Sequence, residues 1–378
     1  MTRILTACLL IPLSASAQTL AESIRALIDE YENSVRANTQ KIIAATSEEE
    51  RASFRASVPS AAPCAEKVLR LIEASPDDPG GAAGVAWLVT QAGGLPQGAR
   101  ALEMLGTTHV RSAGIAAAVK ALEHQPSALA LPLLKTLRER NPHPEEQAAA
   151  AYATGVHHFR RYENAASEEE RAAAKEEAMA AFQEVAARHA GVSIQGFPLA
   201  DQAGRMLFEL GNLSVGDPAP AIEGADLDGG AFTLKDHLGK HVVLVFWGGW
   251  CHACHGVMPQ VNEFSREHQE KAVVLGINTD IPAEARKAMS DFQISFRNWS
   301  DGATSGPITS MFNLRGFPTI HLIGPDGRIV LKNTPLAAIR ERLRYADIPK
   351  GLEGLGMTFI VTGLISMAFS AFVGVRVI

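Results

Sequence analysis

Two cysteines three residues apart, with a histidine directly after the second, form the stretch of this sequence where residue type and spacing point most directly to chemistry. The string is GWCHACHG, residues 249–256. Cys251-x-x-Cys254 is the spacing of a redox dithiol, in which one thiolate attacks a disulfide and the other resolves the mixed disulfide. Cys251-x-x-Cys254-His255 is also the spacing that attaches a c-type haem, with His255 as axial ligand. A third reading makes both thiolates ligands of a soft metal such as copper, completed by a distant histidine such as His321. The sequence holds four cysteines in all. That is too few for a disulfide scaffold, so the close pair reads as chemistry rather than stapling.

The elements around the pair narrow the choice. Residues 241–247, HVVLVFW, form a near-continuous apolar run, the signature of a central strand buried on both faces. AVVLGIN at 272–278 and TIHLIG at 319–324 are two more strands, and RIVL follows the turn PDG at 325–327 as a hairpin partner. Helical stretches fall between them at about 252–269, 282–292 and 335–345. This alternation predicts an α/β sandwich with a mixed sheet. Cys251 then sits at a helix start, where unpaired backbone N–H groups and the positive end of the helix dipole favour a thiolate.

The string VVLVFWGGWCHAC resembles the thioredoxin superfamily, in particular its TlpA-like exported branch of redoxin (AhpC/TSA) type. Pro259 stands eight residues after Cys251, where that family carries a helix proline, and RGFPTIHLIGPDG places Pro318 at its cis-proline position. VGDPAP, FTLKDHLGK and LGINTD are similar too, and the likeness covers roughly residues 213–346. It implies a thioredoxin-like fold and a thiol-disulfide oxidoreductase with Cys251 and Cys254 as the catalytic pair. Trp250 would shield the dithiol, and Phe317, Pro318 and Thr319 would shape and support a substrate groove. The haem reading gives no role to the strand before the pair or to Gly-Phe-Pro-Thr after it. Two departures stand out: Val245 and Val257 occupy positions where relatives place acidic residues. His252 or His255, or a bound water, would then tune the pair's protonation.

Residues 20–210 read as helical throughout. Leu20, Ile24, Leu27, Ile28, Tyr31 and Val35 make one apolar stripe at helical spacing. Ser47 and Ser167 each open SEEERA, a helix-start signature. Breakers at 75–81, 93–98, Pro126 and 141–146 cut the region into short helices, with two longer ones near 145–165 and 168–189. The pattern is loosely that of stacked helical pairs, without a strict repeat. His157, His158 and His189 read as core or solvated histidines, and Cys64 as a part-buried thiol.

The ends carry their own signals. Arg3, the apolar run Ile4–Leu13 and Ala15-Ser16-Ala17 before Gln18 read as an export signal. Residues 354–375 contain no charge and match the length of a membrane-spanning helix, with Ser366, Ser370 and Gly374 at small-residue spacing. The net charge of −6 gives no electrostatic basis for nucleic-acid binding.

The expected organisation is a signal peptide at 1–17, an α-helical domain at 18–212, a thioredoxin-like domain at 213–350 and a transmembrane tail at 351–378. The expected function is exchange of a Cys251/Cys254 disulfide with protein thiols and a redox partner protein, outside the cytoplasm and anchored to the membrane. No metal and no cofactor beyond the redox-active disulfide is expected. The alternatives are copper or haem at CHACH, or a partner-binding protein whose helical array recruits and whose thioredoxin-like part is secondary.

Overall fold

The computed structural model describes residues 19–344. The expected export signal and the expected transmembrane tail lie outside the described residues. Among the described residues, no helix is long and apolar enough to cross a membrane. The described residues divide into two compact units, 19–204 and 205–344.

The first unit is helical: α1 (Leu20–Ala44), α2 (Glu48–Ala56), α3 (Ala62–Ala74), α4 (Ala82–Gln91), α5 (Pro96–Gly106), α6 (Ala116–Ala121), α7 (Ser127–Arg140), α8 (Pro144–Glu163) and α9 (Glu168–Arg188). A small hairpin, β1 (Ser193–Ile194) and β2 (Phe197–Pro198), follows. On α1 the apolar stripe faces inward, with Ile24 buried and Leu20, Leu27, Ile28, Tyr31 and Val35 partly buried. Helices α2 and α9 begin alike. Ser47 and Ser167 accept the N–H of Glu50 and Glu170, each at 3.1 Å. The two glutamates reach back to the N–H of Thr46 and Ala166. SEEERA is therefore one helix start used twice.

Alanines set the spacing of α8 on α9. Ala148, Ala149, Ala150, Ala151 and Ala153 are buried, which lets the two helices approach closely. Gly155 goes further, because a Cβ there would lie 2.6 Å from Phe182 Cε1. His157 is a core histidine: its Nε2–H donates to Leu122 O at 3.0 Å, and Nδ1 accepts from Ser127 Oγ at 2.9 Å.

Helix α10 (Leu199–Asn212) carries the chain across the division, so the boundary falls inside it, upstream of the expected 212/213. The remaining elements are β3 (Glu223–Ala225), β4 (Ala231–Thr233), β5 (His241–Trp247), α11 (His252–Glu267), β6 (Ala272–Asn278), α12 (Pro282–Asp291), β7 (Asn298–Ser300), α13 (Pro307–Met311), β8 (Thr319–Ile323), β9 (Ile329–Leu331) and α14 (Leu336–Arg344). Strands β3 and β4 form a hairpin, and the main sheet has the order β7-β6-β5-β8-β9. It is mixed: β5 runs parallel to β6 and antiparallel to β8.

The sequence of β5 explains its central place. Successive side chains point to opposite faces. Val243, Val245 and Trp247 enter one core with Met258, Val261 and Phe264 of α11 and Ile339 and Leu343 of α14. Val242, Leu244 and Phe246 enter the other with Phe232, Trp299, Ile308 and Phe312. A strand covered on both sides has no polar face, hence the unbroken apolar run.

Candidate redox site

Strand β5 ends at Trp247 and the chain turns through Gly248, Gly249 and Trp250 into α11. Cys251 is the N-cap of that helix, and its sulfur accepts the N–H of Cys254 at 3.2 Å. The two cysteines are joined as a disulfide, with Cα atoms 5.2 Å apart. Cys251 keeps 5% of its surface accessible and Cys254 none. The turn needs its glycines. A Cβ on Gly248 would lie 2.3 Å from Trp250 Nε1, and one on Gly249 would lie 2.7 Å from Ala288 Cβ. Pro259 sits within α11 as expected.

Two of the expected groove residues, Trp250 and Phe317, meet beside the pair. Trp250 is about half exposed (54%) and stands edge-on to Phe317, with ring centroids 5.3 Å apart. Phe317 packs against the core that contains both cysteines, and the Phe317–Pro318 peptide is cis. Thr319 instead closes its own loop, donating from Oγ1 to Gly316 O at 2.7 Å. That loop is tied at its start: Asn313 Nδ2 and Arg315 donate to the buried Glu209 of α10 at 2.8 and 3.0 Å, and Lys332 pairs with the same carboxylate. Burial alone would raise the Glu209 carboxyl; Lys332 and Arg315 outweigh it and hold the group below its ordinary value.

The histidines separate in role. His252 and His255 are exposed at the start of α11, their rings 5.5 Å apart. His255 turns back onto the turn, donating from Nε2–H to Gly249 O at 2.9 Å. His321 is not beside the dithiol. Along β8, Ile320 and Leu322 join the cysteines' core, whereas His321 points to the opposite face. There its ring meets Phe246 and Phe312, each with centroids 5.6 Å away. Its Nδ1 accepts the N–H of Asn333. Burial first, then the nearby Lys332, lowers its pKa to about 3. The sheet therefore separates His321 from the sulfurs, which corrects the expectation that it completes a metal site with them. For haem, the two sulfurs needed as thioethers are bonded to each other, and His255 is engaged with Gly249.

A second set of residues, three of them read in the sequence only as the end of LGINTD and given no role there, holds the turn from the next strand. Asp280, just past the end of β6, is buried (3% exposed). Its Oδ2 accepts the N–H of Gly249 at 2.7 Å and Nδ2 of Asn278 at 2.9 Å. Thr279 Oγ1 accepts the indole N–H of Trp250 at 3.2 Å. Trp247 donates its own indole N–H to Asn298 Oδ1 at 2.8 Å. The signal was available in the parallel pairing of β5 with β6, which sets Asn278 beside Trp247. Polar residues following that strand must then face the turn that leads into Cys251.

With this geometry in place, the comparisons are direct. Residues 215–332 match the AhpC/TSA family. Over 122 residues the chain is 34% identical to the thiol-disulfide oxidoreductase ResA of a Bacillus cereus strain, a span of 32% of this chain and 69% of that protein. The chain belongs to the ResA family of thiol-disulfide oxidoreductases. Its ResA-like part is the α/β unit, which is thioredoxin-like, and the helices before α10 lie outside the AhpC/TSA match. The thioredoxin domain of a thiol-disulfide oxidoreductase from Bacteroides vulgatus aligns with 35% of this chain and 99% of its own length, at 25% identity and a TM-score of 0.33. A separate 58-residue likeness, 47% identical, is to one subunit of the Na(+)-translocating NADH-quinone reductase of Pseudomonas aeruginosa. It spans 15% of this chain and 29% of that reductase subunit, too little of the ResA-family chain's length to carry the reductase's activity over.

Proposed function

We propose that the protein exchanges its Cys251–Cys254 disulfide with thiols of other proteins in an exported compartment. The observation that carries this is the capped disulfide at the start of α11 with Trp250 and Phe317 beside it. In the reducing direction, the Cys251 thiolate attacks a substrate disulfide and forms a mixed disulfide, and one substrate sulfur leaves as thiolate. Cys254 then attacks the Cys251 sulfur, the second substrate sulfur leaves, and the internal disulfide closes. Two electrons pass to the substrate, and the reverse sequence oxidises a substrate dithiol. Cys251 is the attacking group because the helix N-terminus offers its thiolate free N–H donors, whereas Cys254 lies deeper.

With Val245 and Val257 in place of carboxylates, the proton of Cys254 goes to water or to one of the exposed imidazoles, His252 or His255. Trp250, Phe317 and Pro318 form the surface against which the substrate segment lies, with Thr319 supporting the loop. Export through residues 1–17 and anchoring through 351–378 fit this role, as does a redox partner protein that resets the dithiol. The helical unit serves to select or space partners. Dithiothreitol-driven reduction of insulin tests the reading: catalysis by the wild type and its loss in Cys251→Ser support it, and a wild type without activity overturns it.

A further inference from the structure

Gly249 lies two residues before Cys251, and both of its backbone polar groups are taken by side chains. Asp280 Oδ2 accepts its N–H at 2.7 Å, and His255 Nε2 donates to its carbonyl at 2.9 Å. The grip on the N–H side is built on the sheet. Asn278 is fully buried at the end of β6 and holds the same carboxylate oxygen through Nδ2. Asn278 Oδ1 accepts the backbone N–H of Asp280 at 3.0 Å, so the tripeptide is locked on itself. Burying a carboxylate is unfavourable unless donors surround it. Here one of the donors is the turn itself, the N–H of Gly249.

We propose that Asp280 is a positioning residue for the dithiol: with His255 on the other side, it clamps Gly249 and so keeps Cys251 at the N-cap of α11. The proposal rests on Cys251 being the attacking group. Without the clamp, Gly248 and Gly249 regain the freedom that glycine has in a turn, and the Cys251 sulfur leaves the helix donors that stabilise its thiolate. The core beneath stays in place, because Trp247 is held separately by Asn298.

The experiment uses the full chain, reduced, and follows iodoacetamide alkylation of Cys251 by mass spectrometry at neutral pH. Asp280→Ala should slow alkylation about tenfold, the order expected when a reacting group is displaced by a fraction of an ångström. Asp280→Asn keeps an oxygen acceptor for the Gly249 N–H and should remain within about threefold of wild type. His255→Ala should slow alkylation too, and His255→Gln, which retains an N–H donor, should recover it. The His255 pair decides the matter if Asp280→Ala does not fold. Wild-type rates in both alanine variants overturn the clamp. So does an Asp280→Asn rate as low as that of Asp280→Ala, since charge rather than position would then be acting. Insulin reduction by the same samples separates the readings. A wild type that alkylates normally but reduces no insulin removes the proposed exchange function, while the alkylation rates still judge the clamp.

Discussion

In the helical unit, α8 and α9 are neighbours in sequence and pack closely across a short turn, Gly155 against Phe182. In the α/β unit, the residues around Cys251 come from four separated places: the turn after β5, the end of β6, β7 and the loop before β8. The first arrangement can be altered at one contact with little consequence elsewhere. In the second, one strand position serves several functional groups. The difference predicts where activity is vulnerable.

The largest effect should come from Gly276→Ala. A Cβ there would fall 1.6 Å from Asn298 Oδ1, the atom that holds the Trp247 indole. Overpacking a closed core costs about 1–3 kcal/mol and occasionally more. Urea unfolding of the α/β unit should shift by at least that much, and insulin reduction should fall with it. Gly155→Ala makes a clash of the same kind in the helical unit, 2.6 Å from Phe182 Cε1. It should destabilise that unit by about 1–3 kcal/mol and leave the exchange rate unchanged. A matching loss of exchange in Gly155→Ala would break the comparison.

Next in size is a pH effect. The folded pKa of His321, about 3, lies below the ordinary value of about 6.5 in the unfolded chain. As pH falls through that upper value, the unfolded state takes up a proton that the folded state refuses. The stabilisation is therefore complete above about pH 6.5 and is lost progressively down to about pH 3, by roughly 2 kcal/mol between 6.5 and 5. Urea midpoints of the α/β unit should fall over that range, and His321→Gln should flatten the fall. A variant with an undiminished slope would show that another group is responsible.

The smallest effect on stability should come from Trp250→Ala, since that ring is half exposed. A change within about 0.5 kcal/mol is expected. The KM for a protein disulfide should nevertheless rise, with little change in Cys251 alkylation. Unchanged KM would remove Trp250 from the substrate surface.

What could be read in advance follows the same division. Trp250, Cys251 and Cys254 lie within one short stretch, 250–254, so their relation was legible from spacing. Phe317 and Pro318 were legible only through the family string around them. Asp280 was read only as the end of LGINTD, without a role, because its contact with Gly249 exists only once β5 and β6 are paired. Glu209 escaped notice because it lies on α10, before residue 213, where the family likeness and the expected domain begin. His321 was misplaced for a simpler reason. Strand alternation puts it on the face opposite Ile320 and Leu322, and thus opposite the sulfurs. In the helical unit, Ser47 and Ser167 announced their helices correctly, yet surface residues of a helical array do not spell out a partner.

The central claim is that Cys251 attacks and Cys254 resolves. Incubating Cys254→Ser and Cys251→Ser with a thiol-reactive protein disulfide, then mapping adducts by non-reducing gel and mass spectrometry, tests it most directly. The account predicts a reductant-sensitive mixed disulfide on Cys251 in the Cys254→Ser protein and none in Cys251→Ser. Adducts on Cys254 in the Cys251→Ser protein, with Cys251 unmodified in its counterpart, would contradict it.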